Sequence, residues 1–205
     1  YYNFCISYKD YETYKRDGAN VDKLLVCPNG AQHRDYHFTE KPLKPSWTLY
    51  LGRIEPRKRQ YLYQDIYGVE FVGKYTDTTS FDRNRDCYLG QWEHEYKLQH
   101  VTDYGNMMLL SDGENGTPLV IKEALVAGLG VVVSKYAAHD LDTSLPFVTV
   151  IPDDKWEDIE YVQKKLIENR KISVTMRKEI RQYGVDNFSW QKLVKTYVEN
   201  IEGME

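Results

Sequence analysis

Asn106-Met-Met-Leu-Leu-Ser-Asp-Gly-Glu-Asn-Gly-Thr-Pro-Leu-Val-Ile-Lys-Glu-Ala-Leu-Val-Ala-Gly128 is the stretch that decides the fold of this chain. Its opening, residues 106–111, is a continuous apolar run of the kind found in strands buried on both faces. The chain then enters a turn-rich loop at 112–117 that carries Gly113 and Gly116. Thr117 suits an N-cap and Pro118 the first helical position, so a helix is predicted to run to Ala127 and stop at Gly128. The unpaired N–H groups at such a helix start can meet a phosphate or sugar hydroxyls. Glu123 follows Pro118 by more than one turn, where a carboxylate can accept two hydrogen bonds from a vicinal diol such as a ribose. Taken singly, Glu114 and Glu123 read more readily as surface acids. The strand, the glycine loop, the Thr-Pro start and the second acid carry weight together.

Working outward, further strands are predicted at 48–54, 69–74, 88–92, 130–134 and 147–152. Helices are predicted from Pro56 to about 66 and from 93 to about 102, with a polar loop at 76–86. Strands separated by helices at this pace mean parallel βαβ units and an open α/β sheet. The C-terminal part is helical. Ile159, Val162, Leu166 and Ile167 recur at helical spacing, as do Met176, Ile180 and Tyr183. Ser189 suits an N-cap for a last helix with one apolar stripe of Trp190, Leu193, Val194, Tyr197, Val198 and Ile201.

A second segment, Gly52-Arg-Ile-Glu-Pro-Arg-Lys-Arg-Gln60, follows the first long strand. Arg57, Lys58 and Arg59 fall in the first turn of the predicted helix. A helix N-terminus is positive and disfavours cations unless an anion joins them. The loop also leaves the carboxyl end of a strand, where open α/β sheets bind ligands. The segment reads as a phosphate site clamped by Arg53 and Lys58, or else as a solvated basic turn.

The whole chain has 205 residues, enough for one domain and part of another, with 41% hydrophobic and 28% charged residues and a net charge of −4. That balance argues against a nucleic-acid surface. No apolar run approaches the roughly 20 residues that span a bilayer. The first ten residues lack the basic start and apolar stretch of a signal peptide. Cys5, Cys27 and Cys87 are odd in number and lack metal-ligand spacing, which fits a reducing compartment and hence the cytoplasm. The chain opens at Tyr1, without an initiating methionine, in what reads as a strand, so a fragment is expected.

The two segments resemble the retaining glycosyltransferases of family 4, which have the GT-B fold of two Rossmann-like domains facing across a cleft. Gly52-Arg53 followed by Lys58 matches one motif, and 109–128 matches the other. Asp22-Lys-Leu-Leu-Val-Cys-Pro-Asn-Gly30 resembles the interdomain link, and Tyr88-Leu-Gly-Gln-Trp92 the strand before the cleft-facing helix. The resemblance covers about residues 20–200. It implies an end of an N-terminal acceptor domain and link at 1–40, a nucleotide-sugar donor-binding domain at 41–188, and a C-terminal crossover helix at 189–205. It implies transfer of a sugar from a nucleotide-diphosphate donor to an unknown glycan or small-molecule acceptor, with retention of configuration and without metal or other cofactor. Arg53 and Lys58 would hold the diphosphate and Glu123 the ribose. Gly52, Gly116, Thr117, Pro118 and Leu119 would line the sugar and phosphate through their backbone. The motif's earlier glutamate falls by count on Asn115, whereas the acid here is one residue early, at Glu114. Either Glu114 or Asn115 then reads the sugar, with Glu114 the catalytic candidate.

Asp140-Leu-Asp142 is a competing signal, since an Asp-x-Asp holds a metal in the other large glycosyltransferase fold; shaping a loop is the plainer reading. Two other classes stay open: a non-catalytic sugar-nucleotide-binding module, and a GT-B-fold sugar-nucleotide epimerase. The latter would use catalytic acids and histidines, and His33, His37, His94, His100 and His139 form no cluster in the sequence.

Overall fold

The computed structural model describes residues 2–76 and 80–203. Tyr1 and residues 77–79 of the expected polar loop lie outside the described residues. The chain begins with β1 (Asn3–Cys5), α1 (Tyr8–Arg16) and β2 (Leu24–Val26). The two strands pair in parallel as a small sheet of their own. Ser7 caps α1 by accepting a hydrogen bond from the Asp10 N–H.

The main sheet is formed by β3 (Lys44–Leu51), β4 (Val69–Val72), β5 (Tyr104–Leu109), β6 (Gly130–Ser134) and β7 (Val148–Ile151). Its order is β4-β3-β5-β6-β7 with every pair parallel, as the βαβ pattern requires. All residues of the central strands β5 and β6 are buried, which explains their unbroken apolar runs. The helices are α2 (His94–His100), α3 (Leu119–Val126), α4 (Ile159–Thr175), α5 (Arg177–Phe188) and α6 (Trp190–Glu202). In α3, Ile121, Ala124, Leu125 and Val126 are fully buried, each large side chain among them contributing about 1.5–3 kcal/mol.

Several polar side chains inside the core are paired with one another or with backbone carbonyls. Asn106 accepts from the Thr48 hydroxyl at 2.6 Å and donates to Asn169 of α4 at 2.9 Å. Asn169 in turn donates to the Val131 and Phe147 carbonyls, tying α4 to the sheet. Arg177 is almost wholly buried and donates to the carbonyls of Thr39, Thr102 and Tyr104. Burial pulls its guanidinium pKa down to about 10.

Four sequence expectations change. The helix expected from Pro56 is two separate 3-10 turns, Pro56–Lys58 and Gln60–Tyr63, with Arg59 left-handed between them at φ 56°. The cause is tertiary. The Arg57 carbonyl accepts from the Asp112 N–H at 2.9 Å, and the Lys58 carbonyl from the Tyr50 hydroxyl. Neither is left for a helical partner four residues on. The strand expected at 88–92 is a single parallel bridge between Phe71 and Tyr88. Its backbone does bond β4 on either side of that bridge, but Gly90 turns away at φ 74°. The residue before α3 is Pro118, not Thr117, and it makes no side-chain cap. Ser189 does stand at the N-cap of α6, yet its side chain makes no capping bond.

The stripe on α6 is partly covered. Its Trp190 and Leu193 come close enough to Gly30 that a Cβ there would meet Leu193 Cδ1 at 2.8 Å. Tyr197 donates to the Pro28 carbonyl. Val194, Val198 and Ile201 remain exposed.

Candidate functional site

Because β3 and β5 are neighbours in a parallel sheet, the loops leaving their carboxyl ends emerge side by side. Tyr50, wholly buried, clamps them. Its hydroxyl donates to the Lys58 carbonyl and accepts from the Leu110 N–H at 3.1 Å. Burial holds its phenol well above the usual pKa. Arg57 adds a side-chain bond to the Asp112 carbonyl at 3.2 Å. On the other side, Gly73 approaches so closely that a Cβ would lie 1.9 Å from the Gly52 carbonyl oxygen, so only glycine fits there.

The two loops place Lys58 and Glu114 together. Lys58 lies over Gly52, its Cδ 3.4 Å from where a Cβ at that residue would stand. Its ammonium meets Glu114 Oε1 at 2.8 Å, and the same oxygen is 3.1 Å from Arg57. A third cation arrives from α1: Lys9 donates to the Glu114 carbonyl at 2.9 Å. Burial by itself would raise the Glu114 pKa, but the hydrogen bond from Lys58 and the charges of Lys58 and Arg57 outweigh it. The carboxyl is held below its ordinary value. Arg59 is fixed against Asp112 at 3.1 Å and stacked on the Trp156 ring. Arg53 is exposed and, among the described residues, its side chain has no partner. Asn115 is likewise exposed and unbonded through its side chain. Of the two residues the motif left open, the structure brings Glu114 into contact with the basic loop and leaves Asn115 outside it.

Thr117 is engaged sideways. Its N–H donates to Asp140 Oδ2 at 3.1 Å, and its hydroxyl accepts from the Asp140 N–H at 3.0 Å. This clasp is why Thr117 does not cap α3. Gly116 sits at φ 89°, where a Cβ would lie 2.7 Å from Ser7 Cβ, so the start of α1 rests on this turn. Asp140 thus joins the loop after β6 to the glycine loop, while Asp142 binds Ser144 instead. Among the described residues no group of three or more His, Cys, Asp or Glu side chains could hold a metal ion. Pro118 precedes α3 without capping it, and Leu119 at the first turn is exposed. Lys122, almost fully buried, donates to the Asn29 carbonyl at 3.1 Å and lies 3.8 Å from Asp140. Burial depresses its pKa despite Asp140.

Glu123 has a different setting. Its Oε1 accepts from Lys97 of α2 at 2.8 Å, and its Oε2 has no hydrogen-bond partner among the described residues. The Tyr36 hydroxyl lies beside it. Burial first, then the neighbouring Glu123 charge, push that phenol far above its ordinary value.

Tyr50, Tyr36 and Lys97 have no motif to announce them. Tyr50 reads as one aromatic in a strand. Lys97 and Tyr36 meet Glu123 across 26 and 87 residues of sequence. Lys9 is missed for the same reason, since its partner Glu114 is distant in the chain.

No family model matches the chain, and no curated protein matches it. Solved structures do share its fold. HepE from Anabaena, in complex with UDP-glucose, aligns with TM-score 0.73 at 14% identity, over 98% of this chain and 63% of that one. Sucrose-phosphate synthase from Thermosynechococcus elongatus aligns with TM-score 0.72 at 16% identity, over 98% and 57%. The lipopolysaccharide outer core galactosyltransferase WaaB, in its apo form, aligns with TM-score 0.74 at 16% identity, over 100% and 62%. The chain therefore spans about three fifths of the length of the structures it matches. At these identities the likeness is one of architecture: the chain has the Rossmann-like parallel-sheet fold of GT-B proteins.

Proposed function

We propose that this chain supplies the nucleotide-diphosphate-sugar site of a retaining glycosyltransferase of family 4, with residues 41–188 as the donor domain, 1–40 as the end of an acceptor domain and link, and 189–205 as the crossover helix. The observation that carries this reading is the meeting of Lys58 and Glu114 at 2.8 Å, on adjacent loops at the carboxyl ends of β3 and β5. Lys58, Arg57 and Arg53, which is unpaired among the described residues, form a cationic rim around Glu114, with Glu55 also meeting Arg57 at 3.1 Å. A diphosphate can join that rim through Arg53 and draw Lys58 partly off Glu114, which frees the carboxylate to accept hydrogen bonds from sugar hydroxyls. As the donor's glycosidic bond breaks, charge builds on the departing diphosphate. Arg53 and Lys58 are placed to stabilise it, so no metal is required. Glu123 with Lys97 and Tyr36 would hold the ribose hydroxyls.

HepE with bound UDP-glucose and the two enzymes above bear on this reading through their own ligands and names; this chain shares their fold. The three cysteines are free, in keeping with a cytoplasmic protein. No helix among the described residues is long and apolar enough to cross a membrane.

Titration calorimetry with UDP and GDP tests the proposal. At least one should bind saturably, and EDTA should leave the affinity unchanged. Failure of both nucleotides to bind, or loss of binding on chelation, would sink it. A binding module without catalysis would instead bind donor normally and show no transfer once joined to an acceptor domain.

A further inference from the structure

The helix α2 has two occupied faces. Lys97 turns toward Glu123. Tyr96 and His100, four residues apart and so on one face, turn the other way into a separate pocket of about 500 Å³. Its rim includes Lys44 and Tyr104, the first residues of β3 and β5, whereas the cationic crevice lies at the carboxyl ends of those strands. The eight residues of β3 separate the two levels by roughly 20 Å at about 3.3 Å per residue.

One wall of this pocket is aromatic. Tyr96 stacks on His100 with ring centres 4.0 Å apart and meets Trp92 edge-on at 5.1 Å. Trp92 also leans on Tyr104 at 6.2 Å. Tyr96 is half exposed, so the wall presents ring surface to solvent. The opposite side is polar and carries a net negative charge, since Glu93 also lines it and makes no ion pair among the described residues. Lys44 is neutralised by Glu70 at 2.6 Å. His100 Nδ1 lies 2.8 Å from Asp103 Oδ2. The second imidazole nitrogen and second carboxylate oxygen of that pair have no partner among the described residues.

This combination selects a ligand class. With Lys44 held by Glu70, and with Glu93 and Asp103 beside it, the pocket offers a phosphate no free counter-charge. The rings offer a flat, electron-rich face that suits weakly polarised C–H groups. The imidazole nitrogen and carboxylate oxygen suit hydroxyl groups, which both donate and accept. A pyranose ring has both: one apolar C–H face and a rim of hydroxyls. We infer that this pocket is a saccharide-binding site, which takes a pyranose by packing its C–H face on the exposed ring of Tyr96 and hydrogen-bonding it to the His100–Asp103 pair. It holds sugar without nucleotide and stands apart from the crevice, so the inference does not depend on the function proposed above.

The experiment is a titration of this chain with maltotriose, cellotriose and N-acetylchitotriose, followed by tryptophan fluorescence and calorimetry, with and without saturating UDP. At least one trisaccharide should bind saturably, with an affinity that UDP leaves unchanged. Tyr96→Ala should weaken it tenfold or more. Tyr96→Phe, which keeps the ring, should stay within threefold of the parent and also shows that the fold tolerates change at this half-exposed position. Asp103→Asn should weaken binding severalfold. Absence of saturable binding for all three trisaccharides overturns the inference. So does competition by UDP, which would move the sugar to the crevice, and so does an affinity indifferent to Tyr96→Ala.

Discussion

Glu114 and Glu123 sit on the same loop-and-helix segment, yet the fold gives them opposite surroundings. Glu114 stands at the rim of the crevice, with Lys58 and Arg57 on its carboxylate and Lys9 on its carbonyl. Glu123 is closed in beneath α2, with Lys97 on one oxygen and the Tyr36 phenol beside it. The first shares Lys58 and Arg57, the latter also with Glu55, and under the proposed function an incoming diphosphate would compete with it for Lys58. The second has one cation and one orphan oxygen, so it suits a neutral diol. Two identical side chains are thereby assigned different chemistry by what surrounds them rather than by their spacing.

The sharpest break of this contrast is to remove the buried acid. Glu123→Ala leaves Lys97 without its partner in a largely desolvated place, and should cost about 3 kcal/mol of stability in urea unfolding. The exposed Asn115→Ala should cost almost nothing in the same assay. Equal, small losses for both would mean that Glu123 is not closed in as described.

Next in size is the cationic rim. Arg53→Ala and Lys58→Ala should each weaken UDP binding by about 1.5–3 kcal/mol, the scale of a charge-assisted hydrogen bond. Calorimetry reads this directly. Unchanged affinity in both variants would remove the diphosphate from this loop.

A smaller effect separates sugar from nucleotide. Asn115→Ala should leave UDP affinity intact. Glu114→Ala should not weaken it, because Lys58 is then free for the diphosphate, but should weaken a UDP-sugar relative to UDP by about 1 kcal/mol or somewhat more. Because Glu114 contacts the basic loop and Asn115 does not, Asn115→Ala should be the milder. The reverse order would return the role to Asn115.

The smallest effect is a pH dependence. The folded state holds the Glu114 pKa below the ordinary value of 4.5, so the unfolded state takes up its proton first as the pH falls. The stability this carboxylate contributes is complete above the ordinary value and is lost as the pH drops through the folded one. The stability difference between the parent and Glu114→Gln should be flat from neutrality to about pH 5 and shrink below it. A difference that grows on acidification would reverse the assignment.

The α/β class was readable because strands buried on both faces must be apolar throughout, as β5 and β6 are, and because helices alternate with them. The two loops were readable because Gly52, Gly116 and Pro118 carry backbone requirements that few other residues meet. Two of the errors share one cause. The 3-10 turns at 56–63 replace a helix because Asp112 and Tyr50 take the carbonyls a helix needs. Thr117 fails to cap because Asp140 holds it. In both, a bond from a distant residue outweighs a local preference worth about 1 kcal/mol or less. The run at 88–92 instead stops being a strand at Gly90, whose positive φ turns the chain away.

By itself, then, the sequence determined the parallel sheet, the positions of the two glycine loops and the set of charged residues near them, since periodicity and backbone chemistry are local properties. Only the tertiary structure decided that Glu114 and not Asn115 meets Lys58, that Tyr50 clamps the loops, and that Lys97 and Tyr36 enclose Glu123. Those pairings join residues 8 to 87 positions apart in the chain, and such contacts follow from how strands stack in the sheet, which no local pattern encodes.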